Sequence, residues 1–173
     1  MTQVRSRVET GRLYLRPWRD DDLPLWHHLA QDVGYNCFAP PGAFLVRDDA
    51  EALAWIHRRN AHAAEGLGKW PVFTREGDTF VGTCGLDPCE IAGEPTVELG
   101  YRLLLYAWGH GYAREAAKGM LAHAFGTLGL HRVHAFALRQ NRASTAVLRD
   151  LGFAPHGEHV HGGLPHLLFV AEP

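Results

Sequence analysis

Apolar positions along this chain recur with a period of two in some stretches and near 3.6 in others, and the switches between these rhythms mark out its elements. Leu13-Tyr14-Leu15-Arg16-Pro17-Trp18 reads as a first strand that stops near Pro17, and Asp20-Asp21-Asp22 supplies the acidic residues favoured at a helix start. Leu25, Trp26 and Leu29 share the buried side of that helix. Residues 34–47, with Gly, Asn and a Pro-Pro pair, read as a loop, and 48–66 returns to helical spacing through Ala52, Leu53, Trp55, Ile56 and Arg59. Trp70–Phe73 and Thr79–Leu86 form a predicted hairpin around Glu76-Gly77-Asp78. Pro88 and Gly93-Glu94-Pro95 mark a connection to a strand over 96–105. There Val97, Leu99, Tyr101 and Leu103 take one face, and Glu98, Gly100, Arg102 and Leu104 the other. The run Leu103-Leu104-Leu105 breaks the alternation and permits a bulge or a departure from the sheet.

A helix follows the closely spaced Gly109 and Gly111, with Ala113, Ala116, Ala117, Met120, Leu121, Ala124 and Phe125 at helical spacing. Arg132–Leu138 reads as another strand. Asn141 is placed to cap a short helix carrying Val147, Leu148 and Leu151, which Gly152 ends. Phe153 onward and Leu164–Val170 suggest a terminal hairpin turning at Gly162-Gly163. Strand, two helices, three strands, helix, strand, helix, two strands predict a mixed sheet flanked by helices. The fold class is therefore α/β, or α+β by some schemes, in a single domain over 1–173.

Composition narrows the function classes. The 173 residues, 46% of them hydrophobic, can bury a continuous core without metal or disulfide staples. Seventeen Lys and Arg against nineteen Asp and Glu leave a net charge of −2, which argues against nucleic acid or a membrane surface as partner. Cys37, Cys84 and Cys89 form no CxxC pair, although Cys84 and Cys89 could approach across a turn. With no apolar leader in MTQVRSRVETGR, the reduced thiols give the expectation of a cytoplasmic protein. The twelve histidines are scattered and read as surface and core residues; His156, Glu158, His159, His161 and His166 could alternatively form a polar or metal-binding cluster.

The candidate chemistry gathers around residues 98–120. Gly109-His110-Gly111-Tyr112-Ala113 can cradle a phosphate through backbone amides at a helix start, or can be a plain strand-to-helix turn. The missing Walker lysine and Ser/Thr disfavour ATP or GTP hydrolysis. Glu98, one strand upstream, can accept a proton directly or through water, or can sit in a surface or cross-strand ion pair with Arg102. Asn141 and Ser144 stand on adjacent turns of one helix, where Asn141 caps the helix or faces a ligand. Ser144 has no His-Asp relay, so a covalent serine hydrolase is not its best use.

GRLYLRPWRDDDLPLW, VGTCGL and the long stretch ELGYRLLLYAWGHGYAREAAKGMLAHAFGTLGLHRVHAFALRQNRASTAVLRDLGFAPHGE resemble, over about 11–171, the GNAT superfamily of N-acetyltransferases. The likeness is strongest to the branch of ribosomal-protein alanine acetyltransferases. It implies a sheet split beside a bulge, with acetyl-coenzyme A or another acyl-coenzyme A entering the gap like a strand and no metal required. It places the pyrophosphate at the amides of Trp108, Gly109, His110, Gly111, Tyr112 and Ala113, and pantetheine beside Tyr101, Arg102 and Leu103. Asn141 and Ser144 would meet the cofactor arm, with Glu98 as base and Ser144 stabilising the departing thiolate. Tyr35, Phe38, Trp70, Glu98 and His134 would line the acceptor side. Leu148 stands where many members have a tyrosine, and Tyr106 where a glutamine or arginine is common. The implied reaction is direct acetyl transfer to a primary amine, on a protein N-terminus or a small molecule. A donor such as succinyl-coenzyme A, or a non-catalytic acyl-coenzyme A-binding regulator, is the alternative, and a homodimer is left open.

Overall fold

In a computed structural model describing residues 7–40, 42–44 and 48–173, the alternating stretches join into one eight-stranded sheet. In chain order the strands are β1 (Val8–Glu9), β2 (Leu13–Leu15), β3 (Gly68–Thr74), β4 (Phe80–Ile91), β5 (Glu94–Leu103), β6 (Val133–Ala137), β7 (Ala154–His161) and β8 (Leu164–Ala171). They lie in the order β1-β2-β3-β4-β5-β6-β8-β7, antiparallel throughout except between β5 and β6. The helices are α1 (Leu23–Gln31), α2 (Val33–Asn36), α3 (Asp49–Arg59), α4 (Tyr112–Ala122) and α5 (Arg142–Asp150).

The two faces of the sheet serve two cores. Leu13, Leu15, Val72, Leu86, Leu99 and Leu103 meet the small residues Ala116 and Ala117 and the larger Met120 of α4. On the opposite face Phe73, Phe80 and Leu104 pack with Trp18, Trp26, Leu29 and Ile56 beneath α1 and α3. Trp70, expected to line an acceptor cleft, belongs to the first core and is fully buried, because it shares a face of β3 with Val72, the face turned toward α4.

Local chemistry fixes the helix starts. Asp22, at the end of the acidic run, is buried and grips Arg16 through both oxygens at 2.7 and 2.8 Å. Asp48 caps α3 by accepting from the Glu51 amide at 2.9 Å. Asp32 accepts from the Tyr35 amide at 2.7 Å and from the Leu105 amide at 3.1 Å, tying α2 to the exit of β5. That short helix overlaps the start of the stretch expected to be loop. The second predicted helix ends early, at Arg59, where the Asn60 side chain clamps Trp18 through its backbone amide and carbonyl.

The strand expected to stop at Leu86 continues to Ile91 and turns tightly into β5. Pro88 is tolerated because β4 has there run past its last β3 pair, Gly68 with Leu86, and has become an edge. Cys84 and Cys89 consequently sit on one strand rather than across a turn, and the described cysteines are free. No helix among the described residues is long and apolar enough to cross a membrane.

Close backbone approach at Gly85 tests this packing. A Cβ there would run into the Gly68 carbonyl, whereas one at Gly126 would meet open space. Urea unfolding should show Gly85→Ala losing about 3 kcal/mol, while Gly126→Ala gains up to about 1 kcal/mol.

Candidate active site

The ladder between β5 and β6 holds a single residue pair, Glu98 with His134. Past it the strands diverge, and Leu104 turns its amide to Val81 on the other side at 3.0 Å. The chain then leaves the sheet in the turn Leu105–Ala107, the departure that the leucine run permits. Leu99–Leu103 of β5 and Ala135–Leu138 then face each other across a cleft of about 1070 Å³. Backbone groups along those edges can pair with an extended ligand, as a strand would.

The glycine turn stands at the open end. Gly109 and Gly111 have φ of +78° and +75°, a left-handed conformation that glycine takes without strain. Gly111 is the N-cap of α4 and no side chain among the described residues caps it, while helix geometry leaves the first amides of α4 without intrahelical acceptors. The turn therefore presents donors and the positive end of a helix dipole, a setting suited to an anion. Trp108, Gly109, Gly111, Tyr112 and Ala113 line the cleft, with Arg114 and Arg142 beside them. His110 bonds back to the Trp108 carbonyl at 2.8 Å and stacks on Tyr112.

The other half of the cleft lies under α2 and α3. Tyr35, Phe38, Phe44 and Trp55 form an aromatic wall over a charged floor. Glu98 is buried and pairs with Lys69, not with Arg102, at 2.6 Å. Lys69 also reaches Asp87 at 3.3 Å, and Arg59 meets Asp87 at 3.2 Å. The register explains this: Lys69 pairs with Gly85 and Gly85 with Gly100, so the lysine chain crosses two residues without side chains. A Cβ on Gly100 would meet Lys69 Nζ at 2.7 Å. Burial pushes the Glu98 carboxyl up, but the Lys69 ammonium and its hydrogen bond outweigh this and hold it below the ordinary value. Burial likewise depresses Lys69, and the two carboxylates override it upward.

Asn141 Oδ1 accepts from the Ser144 amide at 3.1 Å, the cap geometry, while the residue also lines the cleft. Ser144 is held by Tyr101, whose hydroxyl donates to the Ser144 carbonyl at 3.0 Å and lies 3.1 Å from its Oγ. Burial raises the Tyr101 hydroxyl well above its ordinary value, so it stays protonated. Leu148, at the position where a tyrosine was noted as common, is buried beneath. Lys69, Asp87 and the bond between Tyr101 and Ser144 escaped the sequence reading. The one available signal was a lysine alternating with apolar residues in GKWPVF beside two same-face glycines.

His134 is adjacent to Glu98 in the sheet, yet its ring bonds to Thr96 at 2.9 Å, lies 6.0 Å from the ring of His156 and lines a second cavity away from the aromatic wall. His161 and His166 line the main cleft, and His159 and His161 stack on Phe136 at 5.0 and 4.9 Å. Among the described residues no group of three or more His, Cys, Asp or Glu is arranged to hold a metal. Burial pushes the Cys84 thiol up to about 12 and Cys89 up to about 11, which disfavours either as a nucleophile.

Comparison with known proteins places this geometry. The sequence model of a family described as acetyltransferase (GNAT) domain matches residues 12–154. The chain is 37% identical over 157 residues to the FsC-acetyl coenzyme A-N(2)-transacetylase of Aspergillus fumigatus, covering 87% of this chain and 66% of that protein. It is 28% identical over 150 residues to the uncharacterized N-acetyltransferase YnaD of Bacillus subtilis, covering 87% and 84%. Among solved structures, Mycobacterium smegmatis RimJ in complex with CoA-disulfide superposes with a TM-score of 0.79 at 22% identity, covering 96% of this chain and 87% of that one.

Removing Lys69 should reverse the direction of the Glu98 shift. With the carboxyl depressed in the folded chain, the pair stabilises above the unfolded value near 4.5 and this stabilisation is lost as pH falls through the lower folded value. A carbon-13 titration of the Glu98 carboxyl is expected to lie below 4.5 in the wild type and above it in Lys69→Met. A midpoint still below 4.5 in the variant would assign the depression to another group.

Proposed function

The chain belongs to the GNAT acetyltransferase family, and we propose that it transfers acetyl from acetyl-coenzyme A directly to a primary amine bound over Glu98. The observation that carries this reading is the open ladder between β5 and β6, with an uncapped helix start at one end and a buried carboxylate at the other. The pantetheine arm runs along Tyr101–Leu103, and the pyrophosphate rests on the amides of the Trp108–Ala113 turn. Asn141 contributes its amide nitrogen to the arm while its oxygen caps α5.

The amine nitrogen attacks the thioester carbonyl carbon, the carbon–sulfur bond breaks, and the thiolate takes up a proton. The backbone amide near Leu103 polarises the carbonyl, and holding both reactants in one cleft supplies much of the acceleration. A carboxylate held ionised by Lys69 is a weak base. Glu98 therefore acts by holding the ammonium, or a water beside it, and passing the proton on to solvent through water. Ser144 meets the thiolate, with the Tyr101 hydroxyl hydrogen-bonded behind it.

The aromatic wall and charged floor suit a small molecule as well as a peptide end. The relative named FsC-acetyl coenzyme A-N(2)-transacetylase supports acetyl transfer from acetyl-coenzyme A to a nitrogen. The likeness of the sequence to the ribosomal-protein alanine acetyltransferase branch keeps a protein N-terminus as the other acceptor, while the solved neighbours so named, at 20% identity, bear on the fold alone.

Acetyl-coenzyme A supplied with peptide N-termini, amino acids, aminoglycosides and polyamines should yield an acceptor heavier by one acetyl group and one free thiol per transfer. Binding of acetyl-coenzyme A without transfer to any member would move the chain to a regulator. Glu98→Gln, with its fold verified by circular dichroism, should lower kcat/KM about a hundredfold, and unchanged turnover across the pH profile would reject the role. Gly111→Glu adds a negative charge to the turn, with its Cβ toward Arg12, and with the fold verified by circular dichroism should abolish coenzyme A binding; retained affinity would overturn the phosphate assignment.

A further inference from the structure

The main cleft carries more positive than negative side chains. Arg59, Lys69, Arg102, Arg114 and Arg142 line it against Asp87 and Glu98. Most of these cations are committed or belong to the glycine-turn end. Lys69 is bound by both carboxylates, Arg59 by Asp87, and Arg114 by Asp150, while Arg142 stands beside the cap residue of α5.

Arg102 is placed differently. It shares the floor face of β5 with Glu98, two residues beyond Gly100. It is half-buried, its guanidinium lies 6.0 Å from the centre of the Tyr35 ring, and no ion pair joins it to a carboxylate among the described residues. That ring is fixed, because the Tyr35 hydroxyl is bonded to Thr83 Oγ1 at 2.8 Å in the core. A guanidinium facing an aromatic ring keeps its N–H fork available, and the fork matches a carboxylate through two parallel hydrogen bonds. Withdrawing a guanidinium from water without such a partner is costly, so its place in a cleft wall points to a ligand that supplies one.

We infer that Arg102 is the anchor for a carboxylate carried by the bound substrate, either on the amine acceptor or on the acyl group. The inference rests on the acyl-transfer reading of the cleft. Glu98 and Arg102 are four residues apart on one strand, about 13 Å between Cα atoms, and their side chains stand on either side of a bare glycine. An ammonium at the first and a carboxylate at the second describe an amino-acid-like acceptor. A carboxylate at the end of a short acyl chain would use the same guanidinium from the cofactor side.

Isothermal titration separates these sources and does not depend on turnover. In one arm the chain saturated with coenzyme A is titrated with common amino acids and with their carboxamides. In the other the free chain is titrated with succinyl-coenzyme A and with butyryl-coenzyme A, which carries a methyl group in place of the carboxylate. The wild type should prefer the carboxylate member of one arm about tenfold, and the arm identifies the source. Arg102→Gln should reduce that preference to near unity, and Arg102→Lys, which keeps the charge and loses the fork, should retain part of it. Absence of a preference in both arms, or a preference that survives Arg102→Gln, would overturn the inference. So would a variant that weakens coenzyme A and both members of each pair equally, because the guanidinium would then belong to the cofactor. Failure of the transfer reading registers separately, as a wild-type carboxylate preference with no acyl transfer.

Discussion

The constraint on which this structure turns is that two neighbouring parallel strands share only one residue pair. Backbone amides and carbonyls that would close the ladder between β5 and β6 beyond Glu98 and His134 face a gap instead. Parallel strands need a crossover, and the crossover helix begins at the carboxyl end of β5, the same end at which the strands part. The gap and the uncapped start of α4 are therefore neighbours by topology, and two glycines suffice to make the turn between them. Backbone pairing along the walls and backbone donors at the mouth come from one arrangement of the chain.

The acceptor half depends on side chains, and its charges are interlocked. Lys69 reaches Glu98 only because Gly85 and Gly100 leave its path clear, so a glycine row in the sheet decides the state of a carboxylate on its neighbour strand. The consequence is an ionised and weakly basic Glu98. A half-buried ammonium between two carboxylates also gives the floor a built-in occupant with the charge of the amine that the proposed reaction consumes.

Much of the sheet was legible in the sequence because alternation, glycines and prolines report local geometry. The chain leaving the sheet at Leu105, Asn141 at the start of α5 and the faces of β5 follow from residues next to one another. The misplacements fell where register decides. Trp70 is one residue from Lys69, and a shift of one place on a strand exchanges the core for the cleft. His134 is beside Glu98 in the sheet, yet Thr96 and His156 hold its ring elsewhere. Glu98 visibly needed a charged neighbour, but Arg102 is close in sequence and Lys69 is close in space. The extension of β4 through Pro88 was hidden because a proline is read as a stop unless the length of its neighbour strand is known.

An unpaired strand edge is ordinarily a hazard, since any other chain with an exposed edge can complete it and begin a stack of copies. Here the incomplete edge is interior to the sheet, recessed between the glycine turn, α5 and the wall carried by α2. A slender ligand can reach that edge, and a second folded domain is too broad to follow it. The fold thus keeps its adhesive backbone away from self-association by depth, without the charged or kinked residues with which exposed edges are usually blunted.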